Sequence, residues 1–560
     1  MPASRPILDH VYEHERRWRH RVYLTQLLAD GRTVDHTWGR VLDEARRMAA
    51  HLRARGLGHD DRVALLSRNC AHSIIAELAI WMAGCATVAL YPNEHPDTLR
   101  FELTHSEARL IFLGALEGVS RITEAIPASL PRIALPGAAH GSGEPWEAII
   151  AAHAPLPGQP ARAPGDLAMI VYTSGSTGEP KGVRHDFGHL AEAVATLVAT
   201  IGYRPRDRML SYLPFAHVFE RACIACASLV AGGHVFFVER QATFLRDLRR
   251  ARPTLFLSVP RLWSRFQAGV FERIAPQRLD HLLAIPIVGR VVGWRVLAGL
   301  GLDRVRIAAS GSAPIPPELI AWYQRLGLNL LEGYGMTEDF ACSHMSWPGT
   351  NRPGYVGRPF PGVAVRIADD GEVLIRSPGR MAGYHRRPDL DAQAFTPDGF
   401  FRTGDRGERD ADGLLRLTGR IKEPFKTAGG KYVVPVPIEN RLDEHPMVAM
   451  SLVSGVGRAA PCGLLVLNEA AQAQAGEAAG RQLISRELGT LLARVNATLP
   501  MHERLRMLVV VAEAWSVDNG LLTPTLKLRR PRIEAAVAGR MDDWYAATGP
   551  VVWAREPGSG

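Results

Sequence analysis

The sequence predicts an α/β fold built in several parts, and three observations predict it. Between residues 36 and 92, segments with helical spacing alternate with short apolar runs, the pattern of parallel strands covered by helices. From Gly354 to Thr418 the texture changes to short strands and frequent turns, which predicts a small antiparallel or barrel-like unit. Beyond Pro435 a further compact α/β pattern follows. A length of 560 residues agrees, since domains commonly take ~100–200 residues each.

Each element has its own signal. HTWGRVLDEARRMAAHLRARGLG (36–58) carries apolar residues at helical spacing and stops on glycine, as helices do. DRVALLSRN (61–69) is a buried strand, HSIIAELAIWMAGC (72–85) another helix, and ATVALYP (86–92) the next strand. Residues 136–166 are rich in Pro, Ala and Gly and predict a connecting loop. LAMIVYT (167–173) is a strand that enters a glycine-rich turn, and βα alternation continues to about residue 340. VAVRIAD, GEVLIRS, GFFRTGD and GLLRLTG are the short strands of the 354–418 unit. GRIKEPFKTAGGKYVVP (419–435) mixes turn residues with charge and predicts a joint. The closing REPGSG is expected to be disordered.

Composition excludes several classes. An apolar share of 46% with 22% charged residues is that of a globular protein. The net charge of +9 is spread along the chain, with no basic run of the kind a nucleic-acid-binding stripe needs. The first residues lack the apolar core of a signal peptide. Leu282–Leu302 is the most membrane-like stretch, but Arg290 and Arg295 interrupt it. A core or interfacial helix pair is expected there, with reversible membrane contact left open. Six cysteines suit a reducing cytoplasm. The lone CxxC, Cys223 and Cys226, has no second pair, so two small core residues are expected rather than zinc.

Lysine is the informative residue. Only five of the 66 basic residues are lysine, namely Lys181, Lys422, Lys426, Lys431 and Lys527. They fall in three short segments, where a compact charge on a flexible stem is required and a planar fork would not serve. The first is Tyr172-Thr-Ser-Gly-Ser-Thr-Gly-Glu-Pro-Lys181-Gly-Val183. Thr173, Ser174, Ser176 and Thr177 offer hydroxyls, and Gly175 and Gly178 let backbone N–H groups approach phosphate oxygens. No hydroxyl residue follows Lys181, so this is not a Walker A loop.

With this loop, LPFAHVFER (213–221), VPRLW (259–263), YGMTE (334–338), FRTGD (401–405), the joint and LLTPTLKLRR (521–530), the chain resembles the adenylate-forming family of acyl-CoA synthetases, adenylation domains and luciferases. LPFAHVFER, VPRLW and LLTPTLK look most like its long-chain fatty acyl-CoA synthetase branch. The resemblance spans roughly residues 20–535. It implies a large domain, 1–421, of two βα-layered subdomains plus the β-rich unit, then a small mobile α+β domain, 422–560, pivoting at Lys422. It also implies two half-reactions: a carboxylate and ATP give acyl-AMP and pyrophosphate, and a thiol then displaces AMP. ATP, Mg²⁺ and CoA are the implied cofactors and co-substrates. A carrier-protein thiol stays open as the acceptor, as does a catalytically silent binder. The expected location is the cytoplasm or the inner face of a membrane.

The resemblance also implies roles for single residues. Thr173, Ser174, Gly175, Ser176, Thr177, Gly178 and Lys181 would hold the phosphates. Tyr334 would pack on adenine, with Glu332, Gly333, Gly335 and Met336 around the nucleotide. Thr337 would meet the α-phosphate, and Glu338 with Thr173 would hold Mg²⁺. Gly311 and Ser312 would line the acyl pocket, with His217 as its gate or as a satisfied core residue. Asp405, helped by Arg420, would grip the ribose, the alternative being a turn cap. Gly429 and Gly430 would border the CoA arm, with Lys426 and Lys431 undecided. Lys527 would bridge the carboxylate and the α-phosphate; Leu526 stands where many relatives have glycine.

Overall fold

Short apolar runs become the inner strands of an eight-stranded sheet. In the computed structural model, which describes residues 4–28, 30–116, 119–174, 179–347, 349, 351–421 and 423–554, that sheet runs Gly383–Tyr384, Pro180–Asp186, Leu167–Ser174, Ala86–Leu90, Arg62–Leu66, Ala108–Leu113, Arg132–Ala134, Glu144–Pro145 from edge to edge. The strands from Leu167–Ser174 onward pair in parallel. Parallel strands are buried on both faces, hence their unbroken Val, Leu and Ala. The crossover helix Ala71–Ala83 is apolar nearly all round and buried along almost its whole length, and Gly84 ends it with φ of 102°.

A second layered region holds a five-stranded sheet, Leu255–Ser258, Ile307–Ser310, Leu330–Tyr334, His344–Met345, Arg358–Pro359. A further mixed sheet is made by Arg208–Ser211, His234–Phe237, Val22–Leu27 and Thr33–Thr37. Two details depart from expectation. The stretch expected to be only a connecting loop contains the helix Trp146–Ala152, because Trp146 and Ile149 give it an apolar face to bury. The β-rich unit is an open four-stranded sheet, Ala364–Ile367, Glu372–Arg376, Phe401–Arg409, Leu415–Arg420, and not barrel-like. Small closed barrels take about five to eight strands.

The chain divides into two compact units. The first comprises residues 1–366, 374–403 and 409–416, and the second 367–373, 404–408 and 417–560. The second is α+β, around a sheet ordered Val448–Ser454, Cys462–Leu467, Leu508–Val510, Val551–Trp553. Both faces of this sheet are covered. Leu465, Leu467, Leu508 and Val510 join one core with Ile484 and Leu488, whereas Leu464, Val466 and Val509 join another with Ile533 and Trp544. Alternate residues thus serve opposite layers. Lys422 and the closing REPGSG lie outside the described residues.

The CxxC is core, as expected. Cys223 and Cys226 are free thiols buried in a π-helical turn, Arg221–Cys226, and burial pushes the Cys223 thiol up to about 12. Beside them Arg221, fully buried, pairs with buried Glu77 and lies over the Phe215 ring at 4.8 Å. The Leu282–Leu302 stretch forms a helix pair, Pro276–Ala284 and Val288–Leu300. Among the described residues no helix is long and apolar enough to cross a membrane.

Candidate active site

The glycine-rich loop is the tip of an antiparallel hairpin. Leu167–Ser174 pairs with Pro180–Asp186 in a register that sets Thr173 opposite Lys181 and Ser174 opposite Pro180. Gly175, Ser176, Thr177 and Gly178 lie outside the described residues. The return strand PKGVRHD was not foreseen, because its proline and charges hide its alternation. Gly182 is needed there, since a Cβ would come within 2.9 Å of the Ile170 side chain.

Lys181 leads to the YGMTE segment through a residue that sequence reasoning missed. Its Nζ stands 5.5 Å from the centre of the Tyr384 ring, within cation–π range. The Tyr384 hydroxyl donates to Glu338 Oε1 at 2.8 Å. Gly383–Tyr384 is itself the edge strand beside Pro180–Asp186, and the Met381 N–H donates to the Glu338 carbonyl at 2.7 Å. Lys181, Tyr384 and Glu338 are therefore joined, although 203 positions separate Lys181 from Tyr384 (384 − 181). Only the tertiary pairing of MAGYH with the loop's return strand could have revealed this.

YGMTE follows the strand Leu330–Tyr334 as a tight turn. Gly335 has no room for a side chain, because a Cβ would meet Ala341 Cα at 2.8 Å. The Met336 N–H donates to Asp339 Oδ1 at 2.9 Å, fixing the turn that carries Thr337 and Glu338. Burial, together with the neighbouring Glu338 charge, pushes the Asp339 carboxyl up to about 8. Tyr334 sits opposite His344 in the sheet, their rings 5.9 Å apart. Glu332 is buried, and burial pushes its carboxyl up to about 7. Its Oε2 has no hydrogen-bond partner among the described residues.

Gly311 continues the strand that pairs with Leu330–Tyr334, Ser310 opposite Glu332. A Cβ on Gly311 would lie 3.5 Å from both the Gly333 carbonyl oxygen and the Phe219 ring. Gly311, Gly333 and Phe219 therefore line one narrow space. Ser312 takes a left-handed φ of 70°. His217 caps the turn Val218–Glu220, its Nδ1 accepting from the Phe219 N–H at 3.2 Å.

The remaining site residues belong to the second unit. Asp405 lies within the strand Phe401–Arg409, not at a turn. Its Oδ1 meets Arg420 Nε at 3.0 Å, with the aspartate mostly shielded and the arginine half exposed. Gly429 and Gly430 form the tip of a hairpin between Phe425–Lys426 and Tyr432–Val433, and Gly430 supplies a φ of 73°. Lys426 lies over the Tyr432 ring at 4.9 Å.

Lys527 is presented, exposed, by another small hairpin. Leu522 pairs with Leu528, the Leu526 N–H donates to Thr523 O, and the Thr523 N–H to Lys527 O. Pro524 suits the second position of that turn. Leu526 then adopts φ of 61°, the left-handed bulge position that glycine normally fills. Arg530 anchors the segment, with its Nη2 donating to both oxygens of buried Glu439 at 2.6 and 2.9 Å.

A family model described as AMP-binding enzyme matches residues 11–385, and one described as AMP-binding enzyme C-terminal domain matches residues 426–549. The chain belongs to the AMP-binding enzyme family. Among the relatives of this AMP-binding enzyme, a long-chain-fatty-acid–CoA ligase of Mycobacterium bovis is 29% identical, over 96% of each chain. Long-chain-fatty-acid–CoA ligase 1 of Homo sapiens is 27% identical over 87% of this chain and 78% of its own. In fold, the AMP-binding enzyme is similar to the adenylation domain of a carboxylate reductase from Mycobacterium chelonae. There the TM-score is 0.80 and the identity 22%, over 97% of this chain and 91% of that one. It is also similar to an anthranilate CoA ligase in complex with anthranoyl-AMP, with a TM-score of 0.75 and 21% identity, over 97% and 99%.

Proposed function

We propose that this AMP-binding enzyme is a fatty acyl-CoA synthetase for long or medium chains. The contact series Lys181–Tyr384–Glu338 carries the proposal, because it ties the end of a phosphate-type loop to the carboxylate of YGMTE. The full-length relatives named long-chain-fatty-acid–CoA ligases support it. In the first half-reaction a carboxylate oxygen attacks the α-phosphorus of ATP, forming acyl-AMP as pyrophosphate leaves. In the second a thiol attacks the acyl carbon, loses its proton, and AMP departs with the C–O bonding pair.

This chain's residues divide that work. Thr173, Ser174, Lys181 and the loop 175–178 hold the phosphates. Tyr334 packs on adenine beside Gly333, Gly335 and Met336, and Glu332 Oε2 accepts from its amino group, which would satisfy a buried oxygen. Asp405 and Arg420 bind the ribose. Gly311 and Ser312 border the acyl chain, with His217 holding the turn that carries Phe219. Thr337 and Lys527 stabilise the charge that builds at the α-phosphate. Glu338 and Thr173 suit Mg²⁺, being hard oxygen donors, and Glu338 has a second oxygen beyond the one Tyr384 holds. When bound, that ion neutralises phosphate charge. Lys422 is the pivot between residues 1–421 and 422–560, and Gly429 and Gly430 admit the pantetheine arm.

ATP–pyrophosphate exchange across carboxylic acids of graded length tests the proposal. Exchange should depend on a fatty acid and fall at least ~10²-fold in Lys527→Ala, and CoA should then discharge the adenylate. Discharge only by a holo-carrier protein would reassign the acceptor. No exchange with any fatty acid would overturn the substrate class.

We also infer reversible contact with an anionic membrane surface through the helix pair 276–300. Ile285, Ile287, Val291 and Trp294 are exposed there, beside exposed Arg290 and Arg295. Ile287, 76% exposed, takes φ of 69°, an outlier for a β-branched residue. Apolar turns flanked by arginine suit an interface. Wild type should sediment with phosphatidylglycerol vesicles and Trp294→Ser should do so less; equal sedimentation refutes the contact.

A further inference from the structure

Outside every segment assigned above, three elements of the first unit bring a second set of ligating atoms together. His36 ends the strand Thr33–Thr37, Glu44 lies on the helix Trp38–Ala54, and His72 opens the helix Ala71–Ala83. One ligating atom from each lies within 4.8 Å of the other two. His36 is 1% and Glu44 7% exposed, while His72 is half-buried. His72 Nε2 stands 3.3 Å from Glu44 Oε2. That equals the edge of a tetrahedron with metal–ligand bonds of about 2.0–2.1 Å, roughly 3.3 Å. The His36 and His72 rings meet edge to face at 5.2 Å.

Two features separate this group from an ordinary ion pair. First, His36 Nδ1 is buried with no hydrogen-bond partner among the described residues. A His72–Glu44 pair alone leaves that nitrogen unexplained, and buried polar atoms rarely lack partners. Second, the carboxylate is oriented from outside the group. Arg40 Nε donates to Glu44 Oε1 at 2.8 Å and Trp146 Nε1 to Oε2 at 3.1 Å, while the Trp146 ring abuts His72 edge-on at 5.3 Å. Outer hydrogen bonds of this kind fix metal ligands.

The protonation states agree with the geometry. Burial, helped by the nearby His72 and Arg40, pushes His36 down to about 4, so its imidazole is neutral near pH 7. Burial tends to raise the Glu44 carboxyl, but hydrogen bonds from His72 and Arg40 outweigh it and carry the group down to about 2.

We propose that His36, Glu44 and His72 bind one divalent transition-metal ion, zinc foremost, as a site separate from the nucleotide chemistry. Two imidazoles and one carboxylate suit zinc with a solvent ligand in the fourth position. They suit Mg²⁺ poorly, since it demands six oxygens. The ion would fasten the strand end and both helices to one point.

The test uses the full chain, stripped with chelator and re-equilibrated with Zn²⁺, then desalted and assayed for metal. Wild type should retain one equivalent more than His72→Asn or Glu44→Gln. Both variants should keep ATP–pyrophosphate exchange and far-UV dichroism. Co²⁺ in place of zinc should give wild type the visible bands of a four- or five-coordinate ion, absent from the variants. Because Glu44→Gln can disturb Arg40 and Trp146, a measurement on wild type alone accompanies it. Zinc should protect His72 from diethyl pyrocarbonate, read by peptide mass, and excess Mg²⁺ should not. Equal zinc retention by wild type and a folded His72→Asn, or His72 modified equally with and without zinc, would overturn the site and leave a histidine–glutamate ion pair.

Discussion

Single residues hold the chemistry, and two of them carry measurable consequences. Tyr384 fixes one oxygen of Glu338. Tyr384→Phe keeps the ring beside Lys181 and removes only that hydrogen bond, which to a charged group contributes ~1.5–3 kcal/mol. Exchange should fall ~10-fold or more, with the loss appearing in the dependence on Mg-ATP; an unchanged rate would detach Tyr384 from the site. Leu526 shows the opposite balance. Its left-handed backbone costs ~1–2 kcal/mol for a residue with a side chain, and half of that side chain is exposed. Leu526→Gly should therefore raise the melting temperature, or at least hold it level, because the added freedom of the unfolded glycine offsets part of the gain. A clear drop would mean that the leucine packs against something during the catalytic cycle. At this scale the sequence was readable where a motif is contiguous, as in YGMTE and LLTPTLKLRR. Tyr384 was not readable, because its partners come from two distant segments and its own neighbours form no motif.

Elements follow the same rule. RVALL, ATVAL and LAMIVYT announce buried parallel strands by unbroken apolar runs, and each is one. The return strand Pro180–Asp186 and the helix Trp146–Ala152 were hidden, the first by its polar residues and the second by the prolines and glycines around it. The π-helical turn Arg221–Cys226 also escapes periodicity, since its extra residue per turn shows only in the backbone. Its Arg221–Glu77 pair is wholly buried. Truncating Arg221→Ala leaves Glu77 unpaired and should cost about 3–5 kcal/mol. The double replacement Arg221→Met with Glu77→Leu should recover most of that loss. Denaturant titration of the three variants decides; a double variant as unstable as the single one would mean that the arginine matters through its contact with Phe215 rather than through charge.

At the level of the whole molecule, buried titratable groups of two kinds set how stability depends on pH. His10, His36, His234 and His385 are pushed down to about 4, and His185 and His344 to about 3, in each case first by burial. Between those values and the ordinary 6.5 the unfolded chain binds more protons, so stability rises with pH. Glu332 at about 7, and Glu220 and Asp339 at about 8, behave inversely. Above their ordinary values near 4 the folded chain holds more protons, so stability falls as pH climbs to about 8. Six histidines outweigh three carboxyls below 6.5, and only the carboxyls act above it. The melting temperature should peak near pH 6.5 and decline on both sides; a continued rise to pH 8 would contradict the burial of these carboxyls. The layered architecture and the order of the parts were legible from alternation and texture alone. The openness of the β-rich sheet was not, because strand count and closure depend on pairings that short strands do not encode.

The two-sided core of the C-terminal sheet has a further consequence for how the protein can be taken apart. With Ile484 and Leu488 on one face and Ile533 and Trp544 on the other, the segment from about residue 435 onward already owns both of its apolar layers. A nick in the joint around residues 419–435 would sever a covalent tether without opening either layer. The thiol-transfer half of the reaction could then be supplied from a separate polypeptide, at a rate set by its concentration.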